Sequence, residues 1–336
     1  MTTVRDQPGT PVEIRRPRVN TSAQRWWSVR NVGAVYIWLV IVALFGILEP
    51  DLFLTDETVK VILNDGAVTG LVALSLVLPM AAGVFDLSIG LTVGVTSIIV
   101  AKLMSTTETS TLLICLIAMG AAVTIGLVNA VVVVVLRIDS FIATLATSTL
   151  LGALVIVISG NTSIASERLI GDFTDLARAN VLGITAPVFY LLAVAVVLWF
   201  LLEHTPAGRF LYATGFSIEA ARLSGVRTAR LRFASLLVSA SIAGLAGVVL
   251  TARISVGSPT VGPPFLLPAF AAVFVGATQL RNGRFNVWGT LIAVFLIGTG
   301  NTGLSLWGAP IWAPQVFVGI TLIVAVGVTG LQRRAH

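Results

Sequence analysis

The stretch from Ser217 to Gly225, "SIEAARLSG", stands between two long apolar runs, near 184–202 and 233–252. It carries Glu219 and Arg222 beside Ala220 and Ala221. Charges of this kind are costly in hydrocarbon, so the segment belongs outside a bilayer. Alanine and arginine favour helix, and Gly225 is placed as a helix stop. The stretch therefore predicts about two turns of water-exposed helix between two membrane spans.

The chain has 336 residues, of which 56% are hydrophobic and 11% charged. Soluble domains carry about 25% charge. A span needs about 20 apolar residues, and reading the chain that way gives about ten. They lie near 32–48, 61–82, 88–104, 111–136, 140–160, 184–202, 233–252, 265–280, 287–303 and 311–330. The expected fold is an all-α integral membrane protein of about ten transmembrane helices. Residues 1–30 are polar and basic, hold Pro8, Pro11 and Pro17, and read as a disordered cytoplasmic segment without a cleavable apolar core. A transmembrane domain over 31–330 follows, with a cytoplasmic loop at 203–232 and a short tail at 331–336.

The net charge is +6. In a soluble chain this would suggest nucleic-acid binding; here the arginines flank apolar runs, and the positive-inside rule accounts for them. With both ends cytoplasmic, most of the 21 Lys and Arg fall on the inner side. Lys60, Lys102, Arg168, Arg178 and Arg253 fall outside, with the acidic cluster Glu49, Asp51, Asp56 and Glu57. No nucleic-acid partner is expected. Cys115, the one cysteine, sits within an apolar run and reads as a small filler.

Two short matches suggest a duplication. "IGLVN" ending at Asn129 and "IGTGN" ending at Asn301 lie five spans apart, as do "GLVAL" from Gly70 and "GLAGV" from Gly244. An odd separation would invert the second five-helix repeat relative to the first.

Polar residues within the apolar background are the candidate site. In "AAGVFDLSIG", Asp86 lies between apolar runs with Ser88 beside it. A carboxylate there needs a cavity, an ion pair or water. Two readings stay open: Asp86 caps the third span through the N–H of Ser88 or Ile89, or it meets the transported solute. Thr144 and Thr147, in "SFIATLATSTL", either line a hydrophilic path or join helices. With Asp86, Ser88, Asn129 and Asn301 they form the candidate substrate path.

No stretch fits Gly-x4-Gly-Lys-Ser/Thr, so no phosphate-cradling loop is present. His204 and His336 are the only histidines, and no metal cluster or nucleophile–histidine–acid set is suggested. No enzyme activity, cofactor or metal is expected.

"EAARLSG" resembles the cytoplasmic coupling loop of ABC importer permeases. "FDLSIG", "SFIATLATSTL", "TPAGRFLYATG", "EAARLSGV", "AGLAGVVLTAR" and "VWGTLIAVFLIG" occur in the order seen in ribose-type (carbohydrate uptake class 2) ABC permeases, relatives of the branched-chain amino acid permeases. The similarity runs from about Ala73 to Val328 and is most specific from Thr205 to Arg253. It implies a permease in a bacterial inner membrane, paired with a second permease copy, with ATP-binding cassette subunits inside and a substrate-binding protein outside. In that reading Glu219, Ala220, Ala221, Arg222 and Gly225 couple the permease to the ATPase. The chain departs from the pattern at Val84–Phe85 and in "VGATQLRNGRF", where Val275 and Asn282 stand at glycine positions and Phe285 is bulky.

The expected substrate is a small neutral polyhydroxylated molecule, and the resemblance implies a monosaccharide. A cation would need a lining of acids, and an anion would need bases at mid-membrane. A path offering passing hydrogen bonds suits a neutral solute. Nucleosides or branched-chain amino acids remain alternatives, as does an ion-coupled carrier built on Asp86.

Overall fold

The computed structural model of the chain describes residues 29–181, 183–280 and 283–334. The expected disordered segment, its arginines, Arg281, Asn282 and His336 lie outside those residues, apart from Val29 and Arg30, which open the first helix. In chain order the helices are α1 (Val29–Leu48), α2 (Pro50–Phe53), α3 (Asp56–Ala81), α4 (Ile89–Thr106), α5 (Thr111–Ala130), α6 (Ser140–Ser159) and α7 (Asp175–Arg178). A two-residue antiparallel ladder follows, β1 (Asn180–Val181) with β2 (Ile184–Thr185). Then come α8 (Ala186–His204), α9 (Pro206–Phe216), α10 (Ile218–Leu223), α11 (Thr228–Ile254), α12 (Leu266–Thr278), α13 (Val287–Leu306) and α14 (Ala313–Arg334).

A helix occupies each expected span. Among the described residues seven are long and apolar enough to cross a membrane: Asp56–Ala81, Ile89–Thr106, Thr111–Val135, Ser140–Ser159, Ala186–His204, Thr228–Ile254 and Val287–Leu306. Three apolar helical stretches are shorter: Gly33–Leu48 of α1, Pro263–Thr278 ending in α12, and Ala313–Val328 of α14. Local chemistry sets several starts. The Thr55 hydroxyl accepts from the Thr58 N–H at 3.2 Å, and Asp56 and Glu57 favour the positive end of α3. Asp139 accepts from the N–H of Phe141 at 3.0 Å and of Ile142 at 3.3 Å, opening α6. Asn286 accepts from Gly289 N–H at 2.7 Å, opening α13.

The core forms around α3, apolar on every side and buried continuously from Gly70 to Ala82. It packs against α8, α11, α12 and α13, and α11 also touches α4 and α5. The most apolar windows of α3, α4 and α11 are 67% buried, whereas that of α6 is 22%. α6 thus presents Leu150 and Val157 outward, the arrangement expected of a lipid-facing helix. Small residues let the inner helices approach. A Cβ on Gly247 of α11 would lie 1.9 Å from Thr96 Oγ1 and 2.6 Å from the Val93 carbonyl oxygen of α4.

Where α4 and α11 finish lies a substructure that hydropathy does not reveal. It holds turns at Glu167–Leu169 and Asp172–Thr174, α7, the β1–β2 ladder, and a bridge between Ile164 and Gly257. The Arg168 guanidinium donates to the carbonyls of Thr107 and Thr109 there, and Arg253 pairs with Asp65 of α3.

Gly247→Leu should overpack the α11–α4 contact at a cost of about 1–3 kcal/mol. Thermal unfolding in detergent should show a lower Tm than the parent; an equal Tm would contradict this close approach.

Candidate functional site

Two sets of residues single themselves out: the exposed segment between α8 and α11, and a buried polar cluster at the turn between α3 and α4.

Pro206 stands in the first turn of α9, where its missing N–H costs nothing. At Gly208 a Cβ would lie 2.0 Å from the Leu202 carbonyl oxygen, so a side chain there would prevent α9 from folding back beside α8. Ser217 then breaks the chain in extended conformation, and its hydroxyl accepts from the Ala220 N–H at 3.3 Å as the N-cap of α10. The other end is closed at Gly225, with φ +82°. Its N–H donates to the Arg222 carbonyl and that of Val226 to the Ala221 carbonyl, both at 3.0 Å, a Schellman closure. The expected stop at Gly225 is present. The loop expected at 203–232 instead holds two helices split at Ser217, and α11 starts at Thr228, so Arg230 and Arg232 lie on its first turns. Of the coupling candidates, Glu219, Ala220, Arg222 and Gly225 are exposed; Ala221 is buried. Phe216 is 94% and Leu223 87% exposed, a large apolar surface flanking charges on a short capped helix.

The turn Ala82–Ser88 carries the second set. Asp86 is 1% exposed, and its carboxylate accepts three hydrogen bonds. They come from the Ser88 N–H at 3.1 Å, the Ser88 hydroxyl at 2.6 Å and the Ser239 hydroxyl of α11 at 3.1 Å. The expected bond to the Ser88 N–H is therefore made, but Asp86 does not cap α4: Ser88 itself is the N-cap residue there, and its side chain makes no capping bond. Asn129 of α5 donates to Ser88 Oγ at 2.7 Å. From α6, Ser140 Oγ accepts from the Phe85 N–H at 3.1 Å and Thr144 Oγ1 from the Leu87 N–H at 3.0 Å. Four path candidates, Asp86, Ser88, Asn129 and Thr144, thus meet in one cluster. Thr147 is half-buried and donates only to the Ala143 carbonyl of its own helix, at 3.1 Å. Asn301 lies on α13, away from the cluster; its Oδ1, like that of Asn129, has no hydrogen-bond partner. Ser140 and Ser239 were not singled out in the sequence. Their partners lie 55 and 153 residues away, and a serine in a membrane helix carries no local mark of such a partner.

Beside the turn opens a cleft lined by Met80, Gly83, Val84, Phe85, Gly215, Phe274 and Phe285. Phe85 and Phe285, two of the departures noted above, meet there, and Phe285 packs edge-on against Phe274 at 5.8 Å. Among the described residues no group of three or more His, Cys, Asp or Glu could hold a metal ion.

A helical bundle of this apolarity, broken by a capped, water-exposed helix, is that of a multi-pass membrane protein. The family described as "Branched-chain amino acid transport system / permease component" matches residues 59–326. The ribose import permease protein RbsC of Bacillus subtilis is 34% identical, covering 89% of this chain and 92% of that protein. Its counterpart in Haemophilus influenzae is 30% identical over 86% of this chain and 89% of the relative. The D-allose transport system permease protein AlsC of Escherichia coli is 31% identical over 89% and 91%. The chain belongs to this permease family, within its ribose-type carbohydrate ABC transporter branch. No solved structure matches it.

Ser217→Ala should remove the α10 cap, worth about 1 kcal/mol. Hydrogen–deuterium exchange at the Ala220 amide should quicken; unchanged exchange would show that the cap does not hold the helix.

Proposed function

We propose that the chain is the transmembrane permease subunit of an ATP-driven importer of a monosaccharide delivered by an extracytoplasmic binding protein. ATP would be hydrolysed by a separate ATP-binding subunit, and two permease copies would form the membrane pore. The observation that carries the reading is α10. A helix of six residues is too short to hold itself in water, yet it is capped at both ends and turned outward. Exposed apolar side chains beside a Glu and an Arg suit a protein partner's groove. Glu219, Ala220, Ala221, Arg222 and Gly225 would seat in the ATP-binding subunit, and its closure on ATP would push α10. A sugar substrate is supported by the relatives, which are named for ribose and allose.

In this reading all ten apolar helices cross the inner membrane, both termini are cytoplasmic, and the two halves form an inverted repeat. Asn129 and Asn301, at matching repeat positions, each keep an unpartnered amide oxygen. Thr147 and Asn301 would border the sugar path. Asp86, Ser88, Asn129 and Thr144 would meet it only once the turn between α3 and α4 has moved, because they are at most 1% exposed here.

The test is reconstitution with the ATP-binding subunit and binding protein encoded beside the gene. The binding protein should select a monosaccharide, and Gly225→Trp should cut uptake by about tenfold while ATP is still hydrolysed. Uptake of a branched-chain amino acid or nucleoside with no response to any sugar would overturn the substrate. Undiminished uptake by Gly225→Trp would overturn the coupling role of α10.

A further inference from the structure

Beyond the docking of α10, and resting on that reading, we propose that the turn Ala82–Ser88 is the relay carrying movement of the α9–α10 segment into the membrane core. Asp86, Ser140, Thr144 and Ser239 are its positioning residues.

The turn is gripped from both sides of α10. Before α10, the backbone of α9 lies directly on the end of α3. A Cβ on Gly215 would be 2.2 Å from the Ala81 carbonyl oxygen and 3.1 Å from the Gly83 nitrogen. Only one residue, Phe216, separates that contact from the cap of α10 at Ser217. After α10, the chain enters α11 at Thr228, and Ser239, about three turns on, donates to Asp86. A push on α10 therefore reaches the turn through backbone contact upstream and through a buried side-chain hydrogen bond downstream.

From the turn the connections spread outward. Its Phe85 and Leu87 N–H groups are held by Ser140 and Thr144 of α6, and its Ser88 hydroxyl by Asn129 of α5. An N–H in a bilayer must keep a partner, so α6 has to follow the turn or surrender two hydrogen bonds. The link between α5 and α6 is built to allow that. Val131–Val135, starting two residues after Asn129, is a π-helical turn, a break in the regular ladder that frequently marks a functional position. The unpartnered Oδ1 of Asn129 is an acceptor held in reserve for a donor of another conformation. On the opposite side, the cleft between Phe85, Phe274 and Phe285 leaves room into which the turn can move.

The experiment uses the complete transporter in proteoliposomes and reads sugar moved per ATP hydrolysed. A second readout is the disulfide cross-link between a cysteine placed at Leu223 and the ATP-binding subunit. Ser140→Ala and Ser239→Ala should each lower the sugar-to-ATP ratio by about tenfold with the cross-link intact, and Ser140→Thr and Ser239→Thr should recover it. Gly215→Ala should likewise lower the ratio with the cross-link intact; should it fail to fold, the serine variants decide. A normal ratio with an intact cross-link overturns the relay and leaves the docking of α10 standing. Uptake and hydrolysis falling together at a constant ratio also overturn it, because that marks a purely structural role. Failure of the parent protein to cross-link overturns the docking of α10 and the relay with it.

Discussion

The hydrocarbon of a bilayer supplies no hydrogen-bond partner, and each unpaired polar group there costs several kcal/mol. That constraint explains why the chain is helical almost throughout and why its charges gather where helices end. It also explains the polar cluster at the turn between α3 and α4. Asp86 cannot be left bare at the end of α3, and the fold brings it three donors from two elements. Satisfying one carboxylate fixes α11 against the turn; the N–H groups of the turn then fix α6, and Ser88 fixes α5. The polar cluster does for the outer helices what apolar packing around α3 does for the inner ones.

The same constraint makes the exposed segment distinct. Residues 204–228 hold helices that need not face lipid, so glycine, serine and charge can be used freely. Pro206 and Gly208 turn the chain, Ser217 divides it, and Gly225 ends it. The result is a compact projection whose two ends are both joined to the turn at Asp86. Permeases of the carbohydrate ABC family work with an ATP-binding subunit, and the proposed coupling role of that projection starts from this.

Much of this was legible in the sequence because the signals are local. Runs of about 20 apolar residues locate helices without reference to anything else. The stop at Gly225 and the bond from Ser88 to Asp86 are set within a few residues of the chain. The rest depends on distant partners. Nothing near Ser140 or Ser239 marks them as belonging to Asp86, and among many glycines nothing singles out Gly215 as the one lying on Ala81. The short helix within Ser217–Gly225 was legible from its own residues, whereas α9 before it was not, because Pro206, Gly208 and Gly215 mask its helical character. The turns and ladder between α6 and α8 were missed because that segment is neither apolar nor periodic. Length also misled in part: α12 spans only Leu266–Thr278, shorter than its apolar run suggested.

Coupling requires that α10 face the cytoplasm, where an ATPase can reach it. The direct measurement is labelling of single cysteines by a membrane-impermeant maleimide, in a Cys115→Ala background. Cysteines at the exposed positions Asp51, Arg178 and Leu223 are suitable. Those at Asp51 and Arg178 should react on intact cells, and that at Leu223 only after the cells are opened. A cysteine at Leu223 that reacts from outside, with those at Asp51 and Arg178 protected, would contradict the orientation and the coupling built on it.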